Sequence, residues 1–174
     1  DYWKEALLSD EKMDAKTREQ KVIEGYRKKL SSTGYLTYTG ACPVLERRDS
    51  LTKYYMVFAS RHPDALVLMN DSMCDAFNKY MHEEETQNTL FQGQHWTSWH
   101  DTRELEKIIE DYVRKYPGVT RKELWVYIIK EHFMRFHSSE YKKAVFNRVE
   151  AGTIFSPTPR RTKKLNDDCI LMPK

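Results

Sequence analysis

The order of apolar patterns along the chain predicts an α+β protein: a small α/β segment over residues 1–92, a linker at 93–100, and a helical unit closed by a hairpin over 101–174. Three observations predict it. Between residues 101 and 150, apolar stripes recur three times at the helical period, each with its own start signal. After Gly152, two short apolar runs flank a basic loop. Before residue 61, two runs rich in aromatic and β-branched residues stand on either side of a polar segment.

The first long helix runs from Asp14 to Leu30, because Val22, Ile23, Tyr26 and Leu30 fall on one stripe and Ser31-Ser32-Thr33-Gly34 stops it. A shorter helix is expected around Trp3 to Leu8. Tyr35 to Val44 and Lys53 to Ser60 read as strands, with Glu46 to Ser50 as the hairpin loop. Neither alternate set of Tyr54-Tyr55-Met56-Val57-Phe58-Ala59 is polar, so this strand is expected to be covered on both faces. Pro63 suits a first helical position and Asp64 complements the positive end of the helix dipole. That helix should reach about Glu84. Its stripe of Leu66, Met69, Met73, Phe77, Tyr80 and Met81 makes the methionines core filler.

In the C-terminal part, Asp101 with Glu104 is close to a capping box, and Leu105, Ile108, Ile109, Tyr112, Val113 and Tyr116 form a stripe that Pro117-Gly118 ends. Thr120 and Glu123 make a second capping box, for a helix turning Leu124, Trp125, Ile128, Ile129 and Phe133 inward. A turn at Arg135 to His137 leads to a third helix, capped by Ser138 or Ser139, with Tyr141, Ala144, Val145 and Val149 as its stripe. Gly152 stops it. Thr153-Ile154-Phe155 and Cys169 to Met172 are then strands around the basic loop Pro157 to Asp168. Three helices, a tight turn between the last two, and a hairpin with a basic tip are the order of a winged helix-turn-helix.

Charge points the same way. Residues 1–97 carry 13 Lys and Arg against 15 Asp and Glu, whereas residues 98–174 carry 16 against 11. From Tyr141 to Lys164 seven basic residues meet one acid, Glu150, a concentration suited to phosphate. On the third helix, the expected recognition helix, the outward face holds Ser139, Lys143, Asn147 and Glu150, with Lys142 on its flank. Lysine suits guanine edges or phosphate, and asparagine suits the adenine edge. Arg148 falls within the apolar arc and reads as a packing residue. At the wing tip, Arg160, Arg161, Lys163 and Lys164 would follow phosphates or enter a minor groove. Double-stranded DNA is the expected partner. The alternative is a protein-interaction module, in which Glu150 on the outward face would be natural. A homodimer would pair the free strand edge and present two recognition helices.

Other classes are excluded or unsupported. No apolar run is long enough to span a bilayer and no signal-peptide core opens the chain, which predicts a cytoplasmic protein. Cys42, Cys74 and Cys169 are odd in number and far apart, so reduced thiols are expected, Cys74 as a buried thiol and not a nucleophile. No glycine-rich phosphate loop can be written. His95 and His100, like His132 and His137, are five apart and share no helix face, so no metal site is expected. Trp96 and Trp99 read as linker residues docking on a neighbouring domain or stacking on a partner. No catalytic residue and no cofactor is expected.

The passage Tyr54-Tyr55-Met56-Val57-Phe58-Ala59-Ser60-Arg61-His62-Pro63-Asp64, continued by Met69 and Met73, resembles the C-terminal part of the three-Cys-motif partner proteins. These bacterial proteins are often encoded beside a partner with three clustered cysteines. The resemblance implies that residues 1–92 are the end of a Rossmann-like, methyltransferase-like domain in a nucleic-acid modification or defence setting. The family's Asp-Pro-Tyr/Phe-Gly loop does not occur here, so any S-adenosylmethionine site would belong to upstream sequence and this chain should not transfer methyl groups. That the chain opens on Asp1 also predicts a piece of a longer protein or a processed product.

Overall fold

The structure, a computed structural model, describes Lys4 and residues 14–45, 52–86, 102–157 and 165–174. The fold is α+β. Its elements are α1 (Ala15–Ser31), β1 (Tyr38–Leu45), β2 (Thr52–Ser60), α2 (Pro63–Thr86), α3 (Thr102–Lys115), β3 (Val119–Thr120), α4 (Arg121–Glu131), α5 (Ser138–Glu150), β4 (Ile154–Phe155) and β5 (Ile170–Pro173). The expected helix at Trp3 to Leu8, apart from Lys4, and the expected linker at 93–100 lie outside the described residues.

Two compact units divide at Met69/Asn70, inside α2. In the first, Asp14 caps α1 by accepting the Thr17 N–H at 2.9 Å. β1 and β2 pair antiparallel, with Tyr38 opposite Ser60 and Val44 opposite Tyr54. One face of the hairpin meets α1: the Arg27 guanidinium donates to the Thr39 carbonyl at 2.8 Å, and Tyr55 reaches Glu19. Among the described residues, the other expected cover for β2 is not found. No described residue of β2 is buried, and Tyr54 and Met56 stand 57% and 49% exposed. Two strands with one helix across them cannot enclose both sides of a sheet.

The second unit has the larger core. α3 contributes Leu105, Ile109 and Val113, and α5 contributes Tyr141, Ala144 and Val145. α4 buries Leu124, Trp125, Val126, Ile128 and Ile129, which is more of its circumference than a single stripe. Phe133, expected inward, is only half-buried, and Phe136 from the following turn fills the core instead. The Tyr141 ring stacks on Trp125 at 4.6 Å, and its hydroxyl donates to the Arg121 carbonyl at 2.6 Å.

β3, for which the sequence carries no strand signal, completes a three-stranded antiparallel sheet in the order β3-β5-β4. Val119, Ile154 and Leu171 turn inward and are buried, while Phe155 and Ile170 face outward. Two residues are too short a run to show a period, so β3 was hidden inside the start signals of α4. Gly118 and Gly152, at φ +82° and +69°, end α3 and α5 in the left-handed conformation that glycine adopts without strain.

Candidate nucleic-acid interface

The start of α5 departs from expectation. Its N-cap is His137, not Ser138 or Ser139. The ring Nδ1 of His137 accepts the Ser139 N–H at 3.1 Å, and the Glu140 carboxylate accepts the His137 N–H at 2.8 Å. The spacing carried this signal: an acid stands three residues after His137, whereas Tyr141 and Lys142 stand three after the two serines.

The turn between α4 and α5 is held from α2. Asn70, fully buried, accepts the Met134 N–H at 2.7 Å and donates to the Phe136 carbonyl at 2.9 Å. Met134 has φ +66°, a conformation costly for a side-chain-bearing residue, and its amide is the one that Asn70 fixes. Asp71 accepts the Ser138 N–H at 3.0 Å, so side chains cap the first two amides of α5. Neither Asn70 nor Asp71 was legible as a site residue, because their partners lie more than 60 positions away. Burial, with Arg135 nearby, holds the His132 imidazole below its usual range.

The outward face of α5 is partly engaged within the chain. Ser139 is exposed, but its hydroxyl lies 2.7 Å from His137 Nδ1. The Asn147 amide donates to Glu106 on α3 at 3.4 Å. Lys142 and Lys143 are exposed, as are Glu150 and Phe146. Arg148 lies inward as expected, donating to Glu106 at 2.5 Å and Glu110 at 3.1 Å and so tying α5 to α3.

The hairpin that follows is anchored at its base. Ser156 Oγ lies 2.7 Å from Cys169 Sγ, and Leu165 is buried. The Arg121 guanidinium, buried at the start of α4, pairs with Asp167, and the Arg121 N–H donates to the Cys169 carbonyl at 2.9 Å. The loop from Pro157 to Asp168 therefore leaves and re-enters the fold at fixed points. Its tip residues Arg160, Arg161, Lys163 and Lys164 lie outside the described residues, as do His95, His100, Trp96 and Trp99.

Cys42, Cys74 and Cys169 are buried and form no disulfide, and burial raises the Cys42 thiol above its usual range. Among the described residues no group of His, Cys, Asp or Glu could hold a metal ion, and no helix is long and apolar enough to cross a membrane. Comparison of the chain with protein-family models, with curated proteins and with solved structures finds no match.

Proposed function

We propose that residues 102–174 are a winged helix-turn-helix that binds double-stranded DNA chiefly through its backbone. The observation that carries this reading is the strand order β3-β5-β4 beside three helices, with the β4–β5 connection carrying Arg160, Arg161, Lys163 and Lys164. Lys142 and Lys143 on α5 add exposed cations to the same unit. Ser139 and Asn147 already have partners within the chain, so phosphate contacts supply more of the affinity than base contacts. The resemblance to three-Cys-motif partner proteins supports a role in bacterial nucleic-acid modification or defence, with residues 1–92 as the end of a methyltransferase-like domain.

The test is fluorescence anisotropy of a labelled generic duplex across several salt concentrations. Affinity should fall steeply with salt, and changing Arg160, Arg161, Lys163 and Lys164 to Glu should abolish it. A second reading, a protein-interaction module, is favoured by Phe155 and Phe146, which stand 46% and 38% exposed. No duplex binding at low salt would select it.

A further inference from the structure

The first turn of α5 contains a titratable N-cap. We propose that His137 is a proton-operated latch: neutral, it caps the helix through Nδ1, and charged, it releases the Ser139 amide and reverses the hydrogen bond to the Ser139 hydroxyl. A ring nitrogen that accepts an N–H must be unprotonated, so the arrangement with Ser139 N–H donating to Nδ1 at 3.1 Å belongs to the neutral ring. The proton of that ring is then on Nε2, which faces the carboxylates of Asp71 and Asp75, each at 3.8 Å. Adding a proton places it on Nδ1. Nδ1–H then donates to Ser139 Oγ, 2.7 Å away, and the Ser139 N–H is left facing a donor and turns to water.

The groups that face the ring come from α2, from α5 itself and from the turn between α4 and α5. From α2, the carboxylates of Asp71 and Asp75 face Nε2. From α5, the Ser139 amide donates to Nδ1, while the Glu140 carboxylate is engaged by the His137 N–H. On the turn, Arg135 is paired with Glu104 at 2.6 Å. The Ser138 amide keeps its Asp71 acceptor in both states, so protonation loosens one turn without unfolding the helix. In the charged state the Ser139 hydroxyl hydrogen, previously turned to His137, becomes free for an external acceptor.

This latch does not depend on the nucleic-acid reading. It is tested by amide exchange and ring resonances, followed by nuclear magnetic resonance on the full chain from pH 8 to pH 5. In the wild type, Ser139 protection relative to its intrinsic rate should fall about fivefold as the His137 ring titrates, the size of a lost cap. His137→Asn, whose side chain caps but does not titrate, should keep Ser139 protected at both ends of the range. Ser139 protection that stays constant while the His137 ring titrates overturns the proposal. So does a His137→Asn variant with the same pH-dependent loss, which would place the titrating group elsewhere.

Discussion

At the scale of single residues, the second unit depends on polar side chains that reach far along the chain. Asn70 is buried with both ends of its amide used, so Asn70→Ala leaves the Met134 N–H and the Phe136 carbonyl without partners. That change should destabilise the unit by about 2–3 kcal/mol, read from the urea midpoint. Met134 tests the same turn from the other side. Because its φ of +66° is strained for any residue with a Cβ, Met134→Gly should stabilise by up to about 1 kcal/mol, whereas Met134→Ala should not. The serine-rich start of α5 illustrates how sequence misleads at this scale. Serine is the commoner cap, but the acid at residue 140 was the better guide, since the capping glutamate reaches back three residues.

At the scale of elements, caps and ion pairs decide where helices begin and how they seat. The Thr120 hydroxyl accepts the Glu123 N–H at 3.2 Å and donates to the Glu123 carboxylate at 2.7 Å. Thr120→Ala should cost about 1 kcal/mol in thermal unfolding. The bond from the Thr120 side chain, helped by its backbone N–H, holds the Glu123 carboxyl below the usual carboxylate range. A carboxyl depressed in the folded state contributes stability above its unfolded value, and that contribution is lost as pH falls through the lower folded one. Stability should therefore decline more steeply below about pH 4.3 in the wild type than in Thr120→Ala. Arg148 joins α5 to α3 through two half-buried carboxylates, so Arg148→Ala should cost about 2 kcal/mol. The loss, followed by thermal denaturation, should shrink at high salt.

The helices were legible because each carries a long stripe, and at Pro63 and Thr120 the start signals stand where the sequence put them. β3 was not, because its pairing with β5 joins residues about fifty positions apart. The faces of β2 are not legible for a related reason. An apolar strand reports what could cover it, whereas exposure depends on what lies beside it in space. Of the expected DNA-contacting residues, Lys142 and Lys143 stand exposed, and Ser139 and Asn147 are partly committed to His137 and Glu106.

At the scale of the whole molecule, the two units differ in how much they bury. Among the described residues, the first has few buried side chains, such as Thr39, Cys42 and Leu66, while the second encloses a continuous set from three helices and a sheet. The second should therefore carry the main cooperative transition. Leu171, fully buried on the central strand, is its most sensitive point, and Leu171→Ala should cost about 3–4 kcal/mol. Removing residues 169–174 takes away the strand that both β3 and β4 need, and the near-ultraviolet dichroism that the buried Trp125 contributes should be lost in that variant.

The central place of β5 also sets an order of events during synthesis. Chains emerge from the ribosome at roughly 5–20 residues per second, and domains fold as units. α3, α4 and α5 are all made before β5, yet Val119 and Ile154 have no strand between them until Ile170 to Pro173 arrive. Until then the nascent chain carries two unsatisfied strand edges and an uncovered apolar surface. A ribosome pausing near the codons for the basic loop would lengthen that exposure, making this stretch the interval in which a chaperone has most to protect.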